Sequence, residues 1–142
     1  MDPLLRAELM ARLERDAVVI AGHFGLRYRA IEPESPRVKR RYGVCYRDGT
    51  IRIRLTHVVS GKPLRYSSLV ATLCHELAHL RYFNHGVRFR SFSQRILEWA
   101  RRAGIYRPAA ERRPTPAPRL PPQLSPRTPL APPMPQQLTL FG

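Results

Sequence analysis

The positions of the apolar residues predict a helix at the start of the chain. Asp2 and Pro3 are typical of a helix cap and of the first helical turn. After them, apolar side chains recur at every fourth position, at Leu5, Leu9, Leu13 and Ala17. Gly22 and Gly25 follow this stripe, and we expect them to end the helix.

A small sheet is predicted after this helix. Residues 26–31, 39–47 and 50–59 each favour an extended strand. The dipeptide Asp48-Gly49 separates the last two and is typical of a hairpin turn. We therefore expect about three strands in an antiparallel sheet with one face buried.

Two further helices are predicted after the sheet in the sequence. The first runs from about residue 66 to residue 83, and Leu69, Leu73, Leu77 and Leu80 share one of its faces. The second runs from about residue 87 to residue 103 and repeats apolar residues at intervals of three and four. These elements predict an α+β domain over residues 1–106.

Proline separates this domain from the end of the chain. Eleven of the 15 prolines lie in residues 107–142. Because proline fixes φ and lacks a backbone donor, we expect no helix or sheet there. Residues 107–135 are therefore predicted to be a disordered proline- and arginine-rich linker.

Composition narrows the class of protein. Two cysteines, Cys45 and Cys74, are too few for a disulfide framework, and free thiols are expected. No apolar run approaches the ~20 residues of a membrane span, and the first residues are too charged for a secretory signal. We expect a soluble, cytoplasmic, nucleoid-associated monomer.

The net charge favours a polyanionic partner. The chain carries +15, and 23 of its 25 basic residues are arginine. Arginine alternates with isoleucine in the last predicted strand, so the outer face of the sheet should be basic. This pattern makes Arg40, Arg41, Arg52 and Arg54 the candidate contacts for DNA phosphates.

The sequence His75-Glu76-Leu77-Ala78-His79 is an H-E-x-x-H motif within the second predicted helix. Helix positions i and i+4 share a face, so the two imidazoles can hold one Zn²⁺ at about 2.0–2.1 Å. Glu76 lies beside the first ligand, where it can act as general base toward a nucleophilic water.

A catalytic zinc needs a third protein ligand and an open fourth position. His85 is the candidate, six residues after His79. Asn84 and Gly86 flank it and tolerate the left-handed backbone that can end a helix. An oxyanion-stabilising group is also expected, and Tyr42, Tyr82, Tyr106 or an arginine can supply it.

The histidine motif, followed by His85-Gly86 and Phe89, resembles the signature of SprT-like metallopeptidases and the related WLM proteases. The preceding Tyr42-Gly43-Val44-Cys45 resembles the hairpin of that superfamily. The likeness leaves SprT-like and WLM membership open. It implies a zincin-like fold, a gluzincin or zincin peptidase, and a sheet edge that lines the substrate cleft.

The last residues of the sequence resemble a short linear motif that binds a partner protein. Gln137, Leu138, Thr139, Leu140 and Phe141 resemble the bacterial sliding-clamp-binding pentapeptide, in which apolar side chains enter a pocket on the partner. Residues 136–142 are therefore predicted to bind the clamp. With the peptidase motif, this resembles the Spartan architecture and implies cleavage of proteins trapped on DNA, including crosslinks.

Two other functions stay open at this point. A metal-dependent endoribonuclease also suits three histidines and a basic surface, although such enzymes lack the glutamate beside the first histidine. A non-enzymatic DNA- or clamp-binding adaptor with a structural zinc is the other alternative. It would need a fourth protein ligand.

Overall fold

The computed structural model describes residues 1–111. Within them it has three strands and four helices, as the α+β prediction requires. In chain order they are α1 (Pro3–Phe24), β1 (Ala30–Pro33), β2 (Gly43–Cys45), β3 (Thr50–Ile53), α2 (Tyr66–His79), α3 (Val87–Arg102) and α4 (Pro108–Glu111). No helix in this part of the chain has the length and apolar character to cross a membrane.

Helix α1 begins at the predicted cap, Asp2, and ends at the second of the two predicted glycines, Gly25. The Asp2 carboxylate accepts a hydrogen bond from the Leu5 amide at 3.0 Å, which satisfies one of the free donors of the first turn. At the other end Gly25 has a left-handed backbone, with φ of 67°. Gly22 does not end the helix and lies within its last turn.

The hairpin is confirmed, but the sheet is mixed rather than antiparallel. Strand β3 lies in the middle and pairs antiparallel with β2 and parallel with β1. The prediction for the first strand is wrong because residues 34–42 carry the chain from one edge of the sheet to the other. The residue that holds this crossover is Arg54, directly after β3. Its guanidinium donates to the carbonyls of Val38 at 2.6 Å and Pro36 at 3.2 Å.

Helix α2 is the centre of the molecule. It packs against α1, α3 and two strands of the sheet, and all of its residues except Ser68 are buried. Leu69, Leu73 and Leu77 are fully buried, as their shared face predicts. The buried thiol of Cys74 belongs to the same packing, and both cysteines are free. The helix therefore holds its polar side chains in a rigid apolar frame.

The folded part extends past the predicted boundary at residue 106. The prediction that no helix follows is wrong for α4, whose last residue, Glu111, lies against the start of α2. The Glu111 carboxylate accepts from the Ser67 amide at 3.0 Å and from the Ser67 hydroxyl at 2.6 Å. A negative charge is favourable there because the first amides of a helix lack partners. The rest of the predicted linker and the clamp-binding segment lie outside the described residues.

Candidate metal centre

The structure brings the three predicted metal ligands together. His75 and His79 lie one turn apart on α2, and His85 follows in the loop before α3. Ring nitrogens of the three residues all lie within 4.8 Å of one another. Nε2 of His79 and Nε2 of His85 are only 3.0 Å apart.

The end of α2 explains how His85 returns to the helix. Helix α2 ends at His79, four residues earlier than predicted. The chain then forms a tight turn, in which the backbone N–H of Leu80 donates to the Leu77 carbonyl and that of Arg81 to the Ala78 carbonyl, both at 3.0 Å. Such short-range bonds are typical of a helix terminus. Gly86 then has an extended backbone, φ −80° and ψ −169°. Gly86 therefore does not use the left-handed conformation that glycine tolerates.

A hydrogen bond from the same turn orients one of the rings. Nδ1 of His79 lies 3.0 Å from the carbonyl oxygen of Tyr82. A carbonyl only accepts, so Nδ1 carries the proton and Nε2 keeps its lone pair toward the other two histidines. Metal-binding histidines in proteins are commonly held by such a bond from their second nitrogen.

Phe89 forms the wall behind the three rings. Its centroid lies 4.9 Å from that of His75, 4.3 Å from that of His79 and 5.0 Å from that of His85. Phe89 is itself buried on the first turn of α3. The apolar stripe of that helix predicted its burial, whereas its contact with all three histidines could not be read from spacing.

Burial favours the neutral form of the two imidazoles on α2. Burial, followed by the neighbouring His79 and His85, lowers the pKa of His75 to about 4. Burial also lowers the pKa of His79. Neutral imidazoles are the form that binds metal. Three converging nitrogen donors, one of them already oriented, therefore fit a metal ion.

Glu76 lies on the same helix in a buried position beside β2. Its side chain is almost fully enclosed, and burial raises its pKa to about 8 although the charge of Arg41 acts in the opposite direction. A carboxylate with a raised pKa is suited to accept and return a proton near neutral pH.

Gly43 on β2 leaves the space that the side chain of Glu76 occupies. The sequence patterns did not indicate a functional role for this glycine. A Cβ atom at Gly43 would lie 2.6 Å from Cγ2 of Thr72 and 2.9 Å from Oε2 of Glu76. Only glycine lets the strand approach the helix this closely. No local pattern reveals this requirement, because the two residues are distant in sequence.

The arginine next to this contact is held by polar groups from two sides. Nη2 of Arg41 lies 3.8 Å from Oε1 of Glu34, whose side chain is buried, and donates to the Tyr46 hydroxyl at 3.3 Å. Among the expected oxyanion-stabilising residues, Tyr106 is buried, with the guanidinium of Arg101, the carboxyl of Glu111 and the thiol of Cys74 as neighbours. The guanidinium of Arg41 is near enough to Glu76 to lower the pKa of its carboxyl group, against the effect of burial.

The four predicted DNA contacts fall into different environments. Arg40 is exposed. Arg52 donates to the Glu32 carboxylate at 3.1 Å, and Arg41 is held as described above. Arg54 is only 3% exposed. The expectation that Arg54 faces solvent is wrong, because the 34–42 crossover covers its guanidinium and uses it as a hydrogen-bond donor.

A cavity of about 430 Å³ lies along the loop that carries His85. The three histidines do not line it, but it shares with them the side chain of Phe89. Its walls are largely apolar and include Phe83, Val87 and Phe89, together with Arg88 and the two neighbours of His85. Phe83 also carries the Arg47 guanidinium 5.0 Å above its ring. The cavity is large enough to receive a side chain next to the candidate metal position.

Residues 1–104 match the family model described as the YgjP-like metallopeptidase domain. The chain belongs to this family. A metallopeptidase family implies a metal ion, and the histidine cluster is where the described residues can hold it. No curated protein matches the chain significantly.

Solved structures of Wss1 share the fold of this YgjP-like domain. Wss1 from Saccharomyces cerevisiae has a TM-score of 0.61 and 18% identity, covering 68% of this chain and 79% of its own. A mutant of that protein has 0.63 and 17%, covering 71% and 84%. A Wss1 mutant from S. pombe has 0.56 and 19%, covering 66% and 82%. The α+β fold expected from the motif is confirmed by this likeness.

The contact between Gly43 and Glu76 leads to a test. We expect Gly43→Ala to destabilise the fold by about 1–3 kcal/mol, because the added methyl overpacks a rigid contact. It should also lower peptidase activity more than metal content, because it displaces Glu76 and leaves the histidines in place. Chemical denaturation, peptide hydrolysis and metal analysis measure the three effects.

Gly22→Ala is the matched control. Gly22 lies within α1, and a Cβ atom there meets nothing within 4 Å. The substitution should stabilise the helix by about 0.5–1 kcal/mol and leave activity unchanged. If Gly43→Ala is as stable and as active as Gly22→Ala, the close approach is not required.

Proposed function

We propose that the chain is a zinc-dependent endopeptidase of the H-E-x-x-H zincin type that cleaves proteins associated with DNA, including covalent crosslinks. The observation that carries the proposal is the convergence of His75, His79 and His85, with the buried carboxyl of Glu76 on the same helix. Family membership supports the peptidase chemistry.

Zinc suits this donor set better than the harder cations. All three donors are imidazole nitrogens, whereas Mg²⁺ and Ca²⁺ prefer oxygen. Within residues 1–111, no cysteine, aspartate or glutamate joins the three histidines. The site therefore has the three-ligand form of a catalytic centre. When bound, zinc would polarise the scissile carbonyl and acidify the attacking water.

The protein itself supplies the proton transfers. The carboxylate of Glu76, which packs against β2 at Gly43, takes a proton from the attacking water and later returns it to the leaving amine nitrogen. The enclosing apolar frame excludes bulk water and raises the proton affinity of this carboxylate. The ring of His79 is oriented by the hydrogen bond that its Nδ1–H donates to the Tyr82 carbonyl.

An association with DNA is supported by charge. Residues 1–106 carry +11 of the net charge and residues 107–142 carry +4. A surface of this sign attracts phosphates and raises the rate of encounter with nucleic acid.

Recruitment to the bacterial sliding clamp is the second part of the proposal. It is supported by the resemblance of Gln137, Leu138, Leu140 and Phe141 to the clamp-binding pentapeptide. Anchoring through the end of the chain would raise the local concentration of the peptidase at replicating DNA.

The first test replaces the proposed general base. We expect Glu76→Gln to lower cleavage of a DNA-bound protein by about 100-fold or more, because the amide cannot accept the proton. Metal content should stay at the wild-type value. Gel analysis of the substrate and elemental analysis of the purified variant measure the two quantities.

Glu8→Gln on α1 is the control, since Glu8 is exposed and outside the site. It should behave as wild type. Labelled RNA incubated in parallel should stay intact. Undiminished proteolysis by Glu76→Gln would refute the mechanism, and RNA cleavage that needs the metal would favour the nuclease alternative.

The second test concerns the clamp. Deletion of residues 136–142 should abolish pull-down by purified sliding clamp, because the apolar anchors are gone, and should leave peptide hydrolysis unchanged. Replacing Leu140 and Phe141 with alanine should have the same effect, whereas Gln136→Ala should not. Retention of clamp binding after the deletion would show that residues 136–142 are not the clamp-binding segment.

A further inference from the structure

Three arginines lie along one side of helix α3, with Glu98 between the last two. Arg88, Arg95 and Arg102 are each seven residues apart, so they lie on one flank of the helix. All three are exposed. At a rise of 1.5 Å per residue the stripe is about 21 Å long. We call these three residues the α3 arginine stripe.

The helix that carries the stripe is the basic one. Helix α3 has five arginines and one acidic residue, whereas α1, the other long surface helix, has three arginines and three acidic residues. The positive charge of the domain is therefore not spread evenly. Three of the five arginines of α3 belong to the stripe.

Aromatic rings, rather than carboxylates, lie against the guanidinium groups beside this stripe. Arg95 and Arg81 lie over the ring of Phe92, at 5.6 Å and 4.6 Å from its centroid. Such contacts position an arginine without cancelling its charge. Within residues 1–111, no acidic side chain forms an ion pair with Arg81 or with any member of the stripe.

The arginines of the sheet are held in the opposite way. Arg29 pairs with Asp48 and Arg52 with Glu32, both at 3.1 Å, and Arg54 is buried. Arg29 and Arg52 therefore already have carboxylate partners at the surface, and Arg54 donates to backbone carbonyls. The sheet was the nucleic-acid surface expected from the sequence, but α3 offers more free charge.

One end of the stripe lies at the candidate metal centre. Arg88 lines the same cavity as Phe89, whose ring contacts all three histidines. Arg95 and Arg102 follow at successive steps of about 10 Å along the helix. A polyanion bound along the stripe would therefore run directly toward the cleavage site.

We propose that the α3 arginine stripe binds the phosphate backbone of DNA and guides it to the metal centre, so that a protein attached to the DNA enters the cleft beside Arg88. The inference rests on the proposed action on DNA-associated proteins and adds the surface that would select them. Arginine suits this role because its planar guanidinium pairs with phosphate oxygens.

The test measures binding without hydrolysis. The full chain carrying Glu76→Gln is titrated into a short fluorescein-labelled DNA duplex, and anisotropy is followed over a series of salt concentrations. Adding Arg88→Gln, Arg95→Gln and Arg102→Gln should weaken binding by about 10- to 100-fold at low salt and reduce the slope of log K against log salt by about 2.7.

Two further triple variants separate the stripe from net charge and from folding. Changing Arg6, Arg15 and Arg27 to glutamine removes the same charge from other exposed positions and should have a much smaller effect. Changing the stripe to lysine keeps the charge and should restore most of the binding.

The outcomes distinguish this inference from the proposed function. Equal binding by the two glutamine triples would overturn the stripe as the DNA surface, as would tighter binding to an RNA hairpin than to the duplex. Because anisotropy needs no hydrolysis, a wild-type chain that cleaves no protein would refute the peptidase proposal alone.

Discussion

The candidate site depends on how helix α2 ends. If the helix continued beyond His79, as the apolar pattern predicts, the next residues would carry His85 away along the axis. The chain instead forms a tight turn directly after His79, and the Tyr82 carbonyl accepts a hydrogen bond from Nδ1–H of His79. This one bond fixes a ring and the path of the backbone together. It makes a three-nitrogen site from residues that a straight helix would separate.

Around that helix end, the rest of the domain supplies rigidity and exclusion of water. The sheet presses Gly43 against the carboxyl of Glu76, and α3 places Phe89 behind the histidines. Neither contact contributes a ligand. Both hold reactive groups in a geometry that a mobile loop would not keep. The chain belongs to a metallopeptidase family and shares the fold of Wss1.

Sequence patterns predicted what depends on local spacing. The i, i+4 histidines, the buried leucine face of α2 and the hairpin at Asp48-Gly49 all follow from rules that act within a few residues. The parallel pairing of β1 could not be predicted, because it depends on a crossover held by the buried Arg54. The cap from Glu111 to Ser67 joins residues 44 positions apart. Alternation also placed Arg54 on the polar face correctly, but it gave no sign that a loop covers that face.

The central claim is that His85 completes a metal site with two histidines of α2. It is tested most directly by the zinc content of protein that has been loaded with zinc and desalted, for the wild type, His85→Ala and His57→Ala. His57 is an exposed histidine outside the cluster. The account predicts about one zinc per chain for the wild type and for His57→Ala, and a large loss for His85→Ala. Full zinc retention by His85→Ala, or none in the wild type, would contradict it.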